Sequence, residues 1–120
     1  MFRTTSFYKV KHLVRTYCRT YTKNEEWIDK INKSYEMGIT KSALQQLGEL
    51  VYIEYQMDIN TKIKKDEEMV IFESVKATDS INAPFDCILE KNNVELEENL
   101  ESVNNEPENT WIIKIKKLDY

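Results

Sequence analysis

Residues 69–81 read Met69-Val70-Ile71-Phe72-Glu73-Ser74-Val75-Lys76-Ala77-Thr78-Asp79-Ser80-Ile81. Met69 to Val75 is dense in β-branched and aromatic residues and predicts a strand. The polar run Lys76-Ala77-Thr78-Asp79-Ser80 interrupts it. Apolar character returns at Ile81, at Ala83-Pro84-Phe85 and at Cys87-Ile88-Leu89. Two apolar strands joined by small polar residues predict a hairpin with Lys76 in its turn. A hairpin tip projects its side chains into water, so Lys76 is expected as an amine on a rigid stem. A covalently attached carrier group needs that geometry: a fixed base and a free arm. By itself, a turn lysine is most often only a solvated charge. Pro84 has no N–H to give a ladder, which puts it at an edge, a bulge or a strand start.

On the N-terminal side, residues 25–37 (EEWIDKINKSYEM) predict a β-hairpin about Asn32-Lys33-Ser34. Thr40 to Gly48 predicts a short helix of about two turns, with Thr40 as N-cap and Gly48 closing the C-terminus. Leu50 to Tyr55 predicts a strand, and residues 58–68 a loop or weak strand. On the C-terminal side, residues 91–109 are acidic and Asn-rich. Val94, Leu96 and Leu100 are expected to face inward from a short irregular helix that Pro107 ends. Trp111 to Lys116 predicts a last strand, with Trp111, Ile113 and Ile115 on one face. Several short strands with one or two short helices imply a small, mainly β, mostly antiparallel barrel or sandwich.

Composition narrows the chemistry. The 120 residues fit one domain, with 41% hydrophobic and 32% charged residues. No apolar run is long enough to span a bilayer as a helix. Two glycines cannot supply a Gly-rich phosphate loop. One histidine, His12, and two cysteines, Cys18 and Cys87, cannot build a Cys/His zinc site or a disulfide framework.

The net charge of −4 hides an asymmetry. Residues 1–24 hold six basic residues, among them all three arginines, and no acid. Residues 25–120 hold the other 11 basic residues against 21 acids, a net of −10. The first segment is rich in Arg, Ser and Thr, and Phe7, Val10, Val14 and Tyr17 recur at helical spacing. That is the composition of a mitochondrial transit segment, expected over residues 1–20, with the globular domain over 21–120. The alternative is a basic arm for nucleic acid or an anionic membrane. Acid depletion that stops where globular patterning starts favours targeting, hence a mitochondrial matrix protein with neither partner. Removing the segment takes His12 and Cys18 with it and leaves no conventional general base near neutral pH.

Glu73-Ser74-Val75-Lys76-Ala77 resembles the lipoyl-attachment motif of the glycine cleavage system H-protein family. The likeness continues in order and spacing over roughly residues 21–116. It includes Tyr21-Thr22-Lys23-Asn24-Glu25-Glu26-Trp27, Gly38-Ile39-Thr40, Ala43-Leu44-Gln45-Gln46-Leu47-Gly48, Val51-Tyr52-Ile53-Glu54 and Ala83-Pro84. Val103-Asn104, Pro107 and Trp111-Ile112-Ile113-Lys114-Ile115 close it. The resemblance implies a barrel-sandwich hybrid fold and a monomeric shuttle, not an enzyme. It implies lipoate joined to Lys76 as an amide, attached by lipoyl-attaching enzymes. It also implies three partners: a P protein that loads an aminomethyl group from glycine, a T protein that unloads it, and an L protein that reoxidises the dithiol. It places Glu26 near the cleft where the loaded arm rests, and Glu73 where attaching enzymes expect an acid. Cys87 stands where the family has glycine, which implies altered turn geometry after the lysine. Two alternatives share the pattern: an H-like relay passing lipoate to 2-oxoacid dehydrogenases, and an unmodified β interaction domain.

Overall fold

The hairpin expected over residues 25–37 forms as β2 (Glu26–Ile31) and β3 (Ser34–Ile39), paired from Glu26↔Ile39 to Ile31↔Ser34. No glycine is needed at its turn because Asn32 takes the left-handed conformation, with φ 59°. Asparagine tolerates that region better than other residues with a side chain. The structure, a computed structural model, describes residues 19–118. His12, Cys18 and most of the basic N-terminal segment lie outside the described residues. The first described element is β1 (Arg19–Tyr21), which runs antiparallel to β2.

β3 leads into α1 (Lys41–Leu47). The Thr40 hydroxyl accepts the Ala43 amide at 3.1 Å, and Gly48 ends the helix at φ 84°. There follow β4 (Leu50–Tyr55), β5 (Lys62–Ile63), β6 (Glu68–Ser74), β7 (Thr78–Asn82) and β8 (Cys87–Asn92). A 3₁₀ turn (Val94–Glu97), α2 (Glu101–Asn105) and a second 3₁₀ turn (Pro107–Asn109) precede β9 (Ile113–Lys117).

Among the described residues the strands form two antiparallel sheets, ordered β1-β2-β3-β9-β8-β5 and β4-β6-β7. One buried cluster joins them, with Met37, Leu89, Ile113 and Ile115 from the larger sheet and Ile53, Val70, Phe72 and Ile81 from the smaller. This is the expected mainly β, two-sheet architecture with short helices. Its details depart from the periodicity in three places. Thr78–Asn82, which looks like a polar linker, is an edge strand on which only Ile81 is buried. An edge strand with one inward side chain carries no apolar alternation to read. Ala83-Pro84-Phe85, which looks like a strand, is the corner between the sheets, where the missing Pro84 N–H is harmless. Val94, expected inward, is exposed, whereas Leu96 and Val103 are buried. Pro107 opens a 3₁₀ turn, a position that tolerates its fixed φ.

The larger sheet is organised around Trp27. Its ring lies so close to Gly38, opposite it on β3, that a Cβ there would come 2.5 Å from the indole. The Arg19 guanidinium covers the ring at 4.1 Å from its centroid. The same guanidinium grips the fully buried Asp29 with two hydrogen bonds, at 2.7 and 3.0 Å. The indole N–H donates to the Pro107 carbonyl at 2.9 Å. Gly38→Ala is therefore expected to destabilise the fold by about 3 kcal/mol, the upper range for overpacking. Urea denaturation checks this as a lower midpoint at constant slope; an unchanged midpoint would show that the indole does not rest on Gly38.

Candidate functional site

Lys76 sits where the sequence places it, exposed in the three-residue tip between β6 and β7. Glu73↔Thr78 is the last ladder pair before the tip. Among the described residues the Lys76 amine enters no ion pair. Its stem passes over Gly48: a Cβ at that glycine would come 3.7 Å from Lys76 Cε and 2.9 Å from Val75 Cγ2. The tip is thus seated on the C-terminal cap of α1, 28 residues earlier. Glu73 is exposed on β6, between Tyr52 on β4 and Thr78 on β7.

The backbone of the tip is fully bonded although it holds no glycine and no residue of positive φ. The Val75 amide donates to the Glu49 carbonyl at 3.0 Å. The Lys76 and Ala77 amides both donate to Ser74 Oγ, at 3.1 and 3.0 Å. The Ser74 amide donates to the Ala77 carbonyl at 2.8 Å. A side-chain oxygen here supplies what a glycine turn obtains from special dihedrals.

Glu26 lies at the start of β2 and is 4% exposed. Its Oε1 accepts the Thr22 hydroxyl at 3.0 Å, while Oε2 is buried without a well-formed hydrogen bond. Burial pushes the carboxyl up to about 7, against the opposing effect of the Thr22 hydroxyl and the Asn82 backbone; the Asp79 charge adds to the rise. Asp79 and Asn82 are on β7, the strand that leaves the Lys76 tip. Glu26 therefore faces β7, a juxtaposition no local sequence signal shows.

Cys87 belongs elsewhere. It opens β8, is fully buried, and pairs with Ile63 and Lys117 in the larger sheet. Its φ is not positive, so this chain has no need of glycine there. The expectation of altered turn geometry after the lysine has no counterpart in the tip described above. Burial first, then the charges of Asp86 and Glu67, push the thiol up to about 11, which keeps it protonated and unreactive.

Beside the tip, an open groove of about 1190 Å³ runs between α1, the start of β4 and the turns around α2. Its apolar lining includes Leu44, Leu50, Leu96 and Leu100, and Glu49, Glu97, Glu98, Glu101, Glu106 and Glu108 give it a negative rim. Among the described residues no group of three or more His, Cys, Asp or Glu is placed to hold a metal. No described helix is long and apolar enough to cross a membrane.

Sequence reasoning named Lys76, Glu73 and Glu26 but missed Ser74, Thr22 and the Gly48 seat. The one available signal was the scarcity of glycine: both glycines lie at contacts too close for a side chain.

The raised Glu26 carboxyl has a consequence for stability. Below its ordinary value near 4.5 it is protonated folded and unfolded, and burial costs little. Between 4.5 and about 7 the unfolded chain loses this proton while the folded one keeps it, so stability falls as pH rises. Wild type is expected to lose on the order of 3 kcal/mol relative to Glu26→Gln across that window. Parallel denaturation of both proteins at several pH values checks this; equal slopes would mean that Glu26 titrates normally.

A family model described as glycine cleavage H-protein matches residues 19–120. The chain is 43% identical to a glycine cleavage system H protein of Dinoroseobacter shibae over 100 residues, 82% of this chain and 81% of that one. It is 36% identical over 104 residues to a probable mitochondrial glycine cleavage system H protein of Dictyostelium discoideum, covering 85% of this chain and 70% of that one. The fold is similar to the crystal structure of an H protein from Mycobacterium marinum, with TM-score 0.75, 22% identity, and coverage of 83% and 84%.

Proposed function

The chain belongs to the glycine cleavage H-protein family, the non-catalytic lipoyl carriers of that system, and we propose that Lys76 is the residue on which it carries lipoate. The observation that supports this is the tip itself: an exposed, unpaired amine on a turn whose backbone is already satisfied. The residues fit the group. Converting the amine to an amide removes a charge that no described partner needs, and the arm's root lies on Gly48, where no side chain obstructs it. Bound there, lipoate would supply a redox-active disulfide at the end of a long arm, and Lys76 would hold it through an amide.

The chain's own residues do the rest. The three-residue tip holds the arm's base still, and the arm's length provides the reach. Glu26, facing β7 from a buried position, can receive a cationic group brought to the cleft. At pH 7 it is divided between charged and neutral forms, so it can hold such a group and release it again. The P, T and L proteins of the system must each take the arm in turn, so each encounter has to be weak and reversible. A domain of net −10, with an acidic groove beside its tip, suits electrostatic steering onto basic rims, because surface charge raises encounter rates more than affinity. Membership of this family favours the glycine cleavage carrier over the lipoate relay and the unmodified interaction domain.

We propose further that the acid-free N-terminal segment is a mitochondrial address. Its composition supports this, as does the mitochondrial relative in Dictyostelium discoideum. The Arg19 fork on buried Asp29 argues that the mature chain keeps Arg19, because removing one partner leaves a buried charge uncompensated.

Intact mass of native protein is expected to show one lipoyl group on the Lys76 peptide. Lys76→Arg is expected to abolish it while changing stability by less than about 0.5 kcal/mol, as for surface substitutions. A lipoyl group on another residue, or none, would overturn the assignment. N-terminal sequencing of protein recovered from mitochondria is expected to find a start at or before Arg19. A mature start beyond Arg19 with undiminished stability would refute the anchoring role.

A further inference from the structure

The Ser74 side chain makes three hydrogen bonds within four residues. It accepts from the Lys76 amide at 3.1 Å and the Ala77 amide at 3.0 Å, and it donates to the Ala77 carbonyl at 3.1 Å. With the Val75 amide held by the Glu49 carbonyl, every amide of the tip from residue 75 to 77 has an acceptor. Two of the three depend on one hydroxyl. An exposed hairpin tip is otherwise among the first parts of a sheet to fray. This tip has neither glycine nor positive φ to favour a particular turn. Without the hydroxyl, the two amides flanking the Lys76 side chain would turn to water, and the stem would sample many directions.

We propose that Ser74 is a positioning residue for the acylation of Lys76. Its hydroxyl holds the turn in the one shape in which the lysine stem leaves the Gly48 seat toward the attaching enzyme. The proposal rests on the assignment of Lys76 as the attachment residue. Attachment forms an amide bond between Lys76 Nζ and the lipoyl carbonyl. The amine gives up a proton, and the activating group of an acyl-nucleotide donor leaves with the bonding electron pair. Ser74 takes no part in those bond changes. It acts earlier, because an enzyme that binds a disordered tip must order it, and that ordering is charged against binding. Gly48 assists from below: a side chain there would meet Val75 Cγ2 at 2.9 Å and displace the turn from its support.

The test uses unmodified full chain, a purified lipoate-attaching enzyme with lipoate and ATP, and three forms: wild type, Ser74→Ala and Ser74→Thr. Attachment is followed by intact mass over a range of carrier concentrations. Exchange of the Lys76 and Ala77 amides is followed on each unmodified protein. Ser74→Ala is expected to lower kcat/KM on the order of five- to tenfold, the worth of one to two exposed hydrogen bonds, mostly through KM. Exchange of both amides is expected to accelerate by a similar factor, and Ser74→Thr, which keeps the oxygen, to restore both. Wild-type kcat/KM in Ser74→Ala overturns the proposal. So does a threonine variant as poor as the alanine one. Slower attachment with unchanged exchange also overturns it, because the hydroxyl would then be contacting the enzyme directly. If wild type itself accepts no lipoyl group, the assignment of Lys76 fails first and the proposal falls with it.

Discussion

The contact between the Trp27 indole and the backbone of Gly38 is the constraint on which the larger sheet depends. One ring face needs a residue without a side chain; the other is closed by the Arg19 guanidinium; the ring edge donates to Pro107. A single aromatic residue thereby binds β1, β2, β3 and the turns before β9 into one body. Arg19 serves twice, because the same guanidinium neutralises buried Asp29. Planar, bidentate geometry lets arginine do both, which a lysine could not. The central strands gain a fixed frame, and the smaller sheet closes against it through Ile53, Phe72 and Ile81.

That frame explains how the hairpin that bears Lys76 is held. β6 is the middle strand of the smaller sheet, flanked by β4 and β7, so the base of the tip cannot slide. Its end is fastened to the cap of α1 through Glu49 and rests on Gly48. The chain has two glycines, and each is spent on a close approach: one under an indole, one under the lysine turn. Where turn conformation alone was at issue, other residues serve. Asn32 supplies positive φ in the first hairpin, and a serine hydroxyl replaces special dihedrals in the second. Glu26 sits between frame and hairpin, its carboxyl pushed up by burial and set against β7. The turn that bears Lys76 is thus held by its backbone bonds, with a buried carboxyl set against the strand that leaves it.

Much of this architecture could be read along the chain. The Asn32 hairpin, the Thr40-capped helix, and the strands near residues 50–55, 69–75 and 111–116 follow from β-branched content, caps and turn residues. Each of those signals acts between near neighbours. What could not be read was set by neighbours distant in sequence. Thr78–Asn82 is a strand because β6 offers it a ladder, not because its own residues favour one. Glu26 looks like any exposed acid in a charged stretch, and its burial follows from the approach of β7.

By itself the sequence determined the class of the molecule. A mainly β domain has one lysine at a polar break between apolar strands, too little histidine and cysteine for metal or conventional acid–base chemistry, and a basic segment distinct from an acidic body. Composition and local pattern suffice for that, because strand propensity, turn chemistry and charge are properties of residues and their immediate neighbours. Only the tertiary structure decided how the lysine is held, which carboxylate is buried against β7, and why Gly38 and Gly48 stand where they do. Those are properties of distance and desolvation between segments tens of residues apart, and they exist only once the two sheets have closed on each other.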